Sequence, residues 1–161
     1  FNGTFDGNGF TIKGLRINRQ DEYSYNAGLF GYVDSLSCIK NLTVIADSEE
    51  ITVRSYSGIL AGNNQGKIEN CYVKGDITNY SGENLFKNLG LICGTNGGEI
   101  TNCIAEGSVN SDAYGGTLVG LNEGVISGCF SLTTNDKEQI GDGVPCVDSF
   151  HFTNTTLYSS S

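Results

Sequence analysis

Four stretches of this chain repeat one another, and a repeat at their interval confines the fold to arrays in which each unit stacks on the next. They are Ala27-Gly28-Leu29-Phe30-Gly31-Tyr32-Val33, Gly58-Ile59-Leu60-Ala61-Gly62-Asn63-Asn64, Gly90-Leu91-Ile92-Cys93-Gly94-Thr95-Asn96 and Gly116-Thr117-Leu118-Val119-Gly120-Leu121-Asn122. Their shared glycines, Gly31, Gly62, Gly94 and Gly120, are 31, 32 and 26 residues apart. Six residues after the last three comes an isoleucine, Ile68, Ile100 or Ile126, while the first repeat reaches Ile39 after eight, through a two-residue insertion. Then follow Lys40-Asn41-Leu42, Glu69-Asn70-Cys71, Thr101-Asn102-Cys103 and Ser127-Gly128-Cys129.

These columns have a physical reading. Ile68 and Cys71 are three residues apart, so an unbroken strand sends them to opposite faces. Both columns are apolar, and a bend between them brings both inside. The residue before each cysteine is Asn70, Asn102 or Gly128, and Asn and Gly enter the left-handed region most readily. A merely polar loop position does not explain Gly as the substitute for Asn. Short β-rich stretches bent in this way, such as Gly58–Asn63, Ile68–Val73 and Ile77–Tyr80, predict an all-β fold. It is a single-stranded parallel β-helix of about five coils, stacked about 4.8 Å apart and right-handed by the general crossover preference. No window of about 11 residues carries a sustained helical stripe. A propeller or sandwich needs antiparallel hairpins; Asp6-Gly7-Asn8-Gly9 offers one such turn, and the later repeats offer few. The expected organisation is an opening coil over 1–26, repeat units near 27–57, 58–89, 90–115 and 116–132, and a cap or linker over 133–161.

Composition removes several function classes. With 161 residues, 23 of them Gly but only 1 Pro, the chain is one domain and not a collagen or a Pro-rich linker. At 38% hydrophobic it can order itself. A net charge of −9 argues against nucleic acid or anionic membrane as partner, and no apolar run approaches the roughly 18 residues of a membrane span. The chain opens at Phe1 inside an established pattern, which reads as a segment of a longer protein.

Reactive residues are few. A zinc peptidase needs a pair of histidines as in H-E-x-x-H; His151 is the single histidine, and between Phe150 and Phe152 it reads as a packed or surface residue. Of six cysteines, Cys71, Cys103 and Cys129 share a column and Cys93 aligns with Phe30, Ala61 and Val119. They read as small buried apolar residues and as reduced thiols, because rungs about 4.8 Å apart hold Cβ atoms too far apart for a relaxed disulfide at about 3.8 Å. Cys38 and Cys146 fall outside those columns, and no C-x-x-C suggests a metal. β-helical pectin-degrading enzymes set a cluster of Asp, Lys or Arg on one outer face, and glycoside cleavage needs two carboxylates at a set separation. Here the outward candidates scatter: Glu69 aligns with Thr101 and Ser127, and Lys74 with Glu106 and Leu132. Asp47, Glu49 and Glu50 read as a solvated loop, and Asp6-Gly7-Asn8-Gly9 lacks a full calcium-loop pattern. No catalytic, metal or cofactor-binding residue is assigned, and no cofactor is expected. Tyr72 and Phe130 share a column beside the cysteines, and Tyr23, Tyr25, Tyr56, Tyr80 and Tyr114 lie in connecting loops. Such aromatics either cover the helix edge or hold a sugar or protein.

The segments Ala27–Val33, Gly58–Val73, Gly90–Ala105 and Gly116–Phe130 resemble GLUG repeats, which occur in large bacterial surface and secreted proteins. The opening Phe5-Asp6-Gly7-Asn8-Gly9-Phe10-Thr11-Ile12, continued by Leu15-Arg16-Ile17-Asn18, is similar to the segment that precedes such repeats. The resemblance covers about residues 1–132. It implies a non-catalytic β-helical module outside a bacterial cell or on its surface, a spacer or adhesion surface with a host protein or glycan as partner. Because such repeats also occur in the non-catalytic part of IgA1-protease-type metallopeptidases, it implies as an alternative an accessory region that presents substrate. A carbohydrate-active β-helix enzyme is the third reading.

Overall fold

A computed structural model describes residues 1–21, 25–79, 88–111 and 115–153, without the side chains of 48–50 and 153. The described residues form an all-β structure without a helix. Every strand pairing among them is parallel. Each coil of the chain visits the same three long sheets in turn. What we term the glycine sheet stacks Phe30–Val33, Ala61–Asn64, Cys93–Asn96, Val119–Asn122 and Ile140–Gly143. The isoleucine sheet stacks Thr4–Asp6, Cys38–Lys40, Lys67–Glu69, Glu99–Thr101 and Val125–Ser127. The aromatic sheet stacks Thr11–Arg19, Thr43–Val53, Tyr72–Lys74, Ile104–Gly107, Phe130–Thr133 and Phe150–Thr153, with Ile77–Asn79 and Val109–Asn110 pairing along the same side. A short fourth sheet holds Ser57–Gly58, Leu89–Gly90 and Gly115–Gly116. This is a parallel β-solenoid of about four turns, the fold class expected from the repeats.

The corner between the isoleucine and aromatic sheets is bent as the sequence implies. Asn41, Asn70 and Asn102 have φ of 54°, 53° and 51°, and Gly128 has 62°. The bend turns Ile39, Ile68, Ile100 and Ile126 and then Leu42, Cys71, Cys103 and Cys129 into one interior, where all eight are buried. Their registers are strict: Ile39 pairs with Ile68, Ile68 with Ile100 and Ile100 with Ile126. The thiols of Cys71, Cys103 and Cys129 donate to the carbonyls of Glu69, Thr101 and Ser127 at 3.4, 3.3 and 3.4 Å. Cys93 has no exposed surface, and burial pushes its thiol well above the ordinary range. Cys38 and Cys146 are half-buried.

Three of the four repeat glycines, Gly62, Gly94 and Gly120, stand in successive coils where nothing larger fits. A Cβ on Gly62 collides with the backbone of Asn26, one on Gly94 with Tyr56 and Ser57, and one on Gly120 with Asn88 and Leu89. The glycine sheet thus packs backbone to backbone against the segment that precedes the neighbouring rung. A second inner column closes the next corner. Asn64 donates its amide to Asn96 Oδ1 and Asn96 donates to Asn122 Oδ1, both at 2.8 Å, and Asn122 donates to the Val144 carbonyl at 2.8 Å.

Two local expectations take a different form. Asp6-Gly7-Asn8-Gly9 does make a tight turn, with Phe10 N–H donating to Gly7 O at 2.8 Å and Asn8 and Gly9 at φ 49° and 78°. Its flanking strands enter different sheets, so it forms a corner and not a hairpin. Beyond residue 132, Ile140–Gly143 and Phe150–Thr153 pair in register with Val119–Asn122 and Phe130–Thr133, so the stretch read as cap or linker continues the solenoid as far as it is described.

Candidate functional site

Strand alternation divides the aromatic sheet between core and surface. Val73, Ala105 and Ser131 point inward and have no exposed surface. Tyr72, Ile104 and Phe130 form one outward column, and Lys74, Glu106 and Leu132 the column beside it, each in register from rung to rung. Ile104 and Phe130 are 42% and 37% exposed, and the Phe130 ring packs at 5.2 Å on Phe152 of the neighbouring column, so an apolar strip runs beside the charged groups.

Glu106 sits at the centre. Its carboxylate accepts a hydrogen bond from the Tyr72 hydroxyl and lies 3.2 Å from Lys74 Nζ. The Tyr72 hydrogen bond holds the Glu106 carboxyl below the usual carboxylate range, and the Lys74 ammonium adds to that. Burial, then the hydrogen bond and charge of Glu106, push the Tyr72 phenol up to about 12. Both groups therefore move away from neutrality, whereas a general acid or base works best with a pKa near the operating pH. At neutral pH the trio presents a fixed carboxylate, a fixed ammonium and a phenol. Beside it lies a cleft of about 300 Å³ lined by Ile45, Ala46, Gly75, Asp76, Gly107 and Leu132 among others. Asp76 Oδ1, in this lining, accepts from Ser108 N–H and Oγ–H at 2.9 and 2.7 Å.

Other sequence candidates are placed as follows. On the isoleucine sheet Asp6 lies 3.8 Å from Lys40, and Glu99 3.6 Å from Lys67. Glu69 pairs in register with Lys40. The outward carboxylates described on these two sheets thus each stand beside a lysine or, for Asp47, an arginine of a neighbouring rung. Asp47 pairs with Arg16 Nε at 2.7 Å. His151 takes the inward column below Ser131, its Nδ1 2.7 Å from Ser131 Oγ. Ser131 is fully buried and His151 half-buried, so the contact sits at the inner side of the sheet. The Tyr25 and Tyr56 rings lie 6.1 Å apart. Tyr23, Tyr80 and Tyr114, and the side chains of Glu49 and Glu50, lie outside the described residues. Among the described residues no three His, Cys, Asp or Glu side chains converge as a metal site.

The sequence reading found the Tyr72–Phe130 column but missed Ile104 within it and the Tyr72–Glu106 bond. The bond is diagonal, from one column to the next rung of its neighbour, and a column-by-column alignment does not display diagonals.

The chain is similar to known proteins over just under half its length. It is 37% identical over 78 residues, 48% of the chain, to Halomucin of Haloquadratum walsbyi. It is 40% identical over 77 residues, 46% of the chain, to a protein of Evansella cellulosilytica whose name reads Gly-rich membrane protein. The matches span 1% and 8% of those proteins. No family model matches the chain, and no solved structure does.

Proposed function

We propose that this chain is a non-catalytic repeat module of a bacterial cell-surface or secreted protein, a spacer whose aromatic-sheet face is its binding surface for a protein or glycan. The observation that carries this reading is the outward strip of Ile104 and Phe130 running beside Tyr72, Lys74 and Glu106. Exposed apolar groups in a row are a cost to a lone domain and an asset to a binding face. A sugar ring sets its C–H face on the apolar strip and its hydroxyls against the carboxylate and ammonium. The shift of Tyr72 and Glu106 away from neutrality supports holding over turnover. The likeness to a halomucin and to a protein named for the membrane supports a place at the cell surface. The test is binding of the chain to arrayed glycans and immobilised extracellular host proteins, beside Phe130→Ser and Glu106→Gln. Binding that both substitutions weaken at least tenfold supports the face; a ligand held equally by all three proteins, or none held by any, overturns it.

A further inference from the structure

The corner between the isoleucine and aromatic sheets carries a groove of about 370 Å³ on its outer side. One wall is the column Asn41, Asn70 and Asn102, and the other is Thr43, Tyr72 and Ile104. Thr43 pairs with Tyr72 and Tyr72 with Ile104, so the groove crosses three successive rungs and runs along the solenoid axis. Its described lining carries no charged residue. The two walls differ in chemistry. Asn70 and Asn102 are exposed, and each side-chain amide offers donors and an acceptor. Tyr72 and Ile104 offer apolar surface, and the bond from the Tyr72 hydroxyl to Glu106 fixes the ring.

The fold does not account for these amides. The bend asks only for a positive φ, which Gly128 supplies at 62° without a side chain. Asn70 reaches Asn41 through a bond of 3.4 Å. Asn102 Oδ1 lies over Gly128, where a Cβ would stand only 2.6 Å from it, so no asparagine continues the column there.

Building on the binding role proposed for this flank, we infer that the groove holds an uncharged chain of equatorially linked hexoses laid along the solenoid axis. Chemistry selects a sugar. A pyranose sets its C–H face on Tyr72 and Ile104, while its hydroxyls, each both donor and acceptor, pair with the amides across the groove. Charge selects a neutral one. No lining residue pairs with an ion, and a net charge of −9 repels an acidic glycan. Spacing selects the direction. The amides recur once per rung, about 4.8 Å. An extended peptide presents the same face every second residue, about 6.7 Å, and falls out of step after one rung. An equatorially linked hexose chain advances by close to one rung per sugar, so successive rings meet Asn41, Asn70 and Asn102 in turn.

The experiment is calorimetric titration of the 161-residue chain with cello-, manno- and chito-oligosaccharides, from disaccharide to tetrasaccharide. In at least one series the trisaccharide is expected to bind about fivefold more tightly than the disaccharide, the worth of one more hydrogen bond, and the tetrasaccharide no more tightly again. Asn70→Gly combined with Asn102→Gly keeps both bends, removes both amides and weakens trisaccharide binding about tenfold. Melting curves check that this variant stays folded. NMR of the parent chain gives a second readout: the side-chain amides of Asn41, Asn70 and Asn102 shift on titration while those of Asn64, Asn96 and Asn122 stay still. Weakening by the glycine pair but not by Phe130→Ser and Glu106→Gln keeps the groove and removes the wider face. Binding that those two substitutions weaken and the glycine pair does not overturns the groove and leaves the face. No binding in any series, equal affinity for di- and tetrasaccharide, or equal binding of oligoglucuronate, which adds a carboxylate to each ring, also overturns the inference.

Discussion

Asn64, Asn96 and Asn122 stack inside this solenoid; Asn41, Asn70 and Asn102 stack outside it, one corner later. The inner three have no exposed surface, and each amide bonds to the next at 2.8 Å along the ladder. Asn64 Oδ1 also accepts from Gly66 N–H at 3.2 Å and Asn122 Oδ1 from Gly124 N–H at 3.3 Å. Asn70 and Asn102 in the outer column are exposed, and the bond within the column from Asn70 Nδ2 to Asn41 Oδ1 is 3.4 Å long. What the outer column shares is a positive φ. The fold uses one column for its side chain and the other for its backbone. The outer column accepts Gly128, while the inner one runs from Val33, an apolar residue that asks nothing of Asn64, to Gly143, where the Asn122 amide turns to the Val144 carbonyl instead.

Breaking the inner ladder has the largest effect. Asn96→Ala removes both ladder bonds. It leaves Asn64 Nδ2 with the Gly66 and Glu99 carbonyls at 3.3 and 3.4 Å and Asn122 Oδ1 with Gly124 N–H at 3.3 Å, and each buried bond lost costs about 0.5–1.5 kcal/mol. A loss of about 2–3 kcal/mol in chemical denaturation is expected, and a loss under about 1 kcal/mol contradicts the ladder's role. Asn102→Val comes next, because a β-branched residue at positive φ costs about 1–3 kcal/mol. Asn102→Gly keeps the bend and is expected within about 1 kcal/mol of the parent. If Val and Gly melt together at position 102, the outer column is not held by its backbone. The smallest effect is a titration. Asn8 N–H, and then the Asn41 amide, hold the Asp6 carboxyl below the ordinary range. A depressed carboxyl stabilises the fold above its unfolded value of about 4, and that contribution is lost as pH falls through the folded value. In NMR spectra the Asn41 side-chain amide should shift in this acid window while those of Asn64, Asn96 and Asn122 stay still; movement of all four refutes the separation.

The same contrast explains how far the sequence carried. The outer column was legible because Asn alternates with Gly, a substitution with one conformational meaning. The cysteine column was legible because its apolar neighbour Ile68 fixes what is inside. The inner ladder was present in the alignment at Asn64, Asn96 and Asn122, but beside Asn63 and Thr95 it passes for a polar loop. Only the register of the rungs shows that the amides meet. The candidate site divides likewise: Tyr72 and Phe130 align directly, whereas the bond from Tyr72 to Glu106 depends on which rung lies beside which. Phe150 and Phe152 fall after the last repeat, where the glycine spacing no longer guides the eye.

The parallel rungs have a mechanical consequence. Their hydrogen bonds run along the axis of the stack, so tension between the first and last coils loads them end-on, one rung at a time, and does not shear them all together. A coil that peels away releases the 26 to 32 residues between successive repeat glycines, about 100 Å of extended chain in place of a rise of about 4.8 Å. Under load, then, each coil lost becomes about twenty times as long while the coils behind it keep their shape.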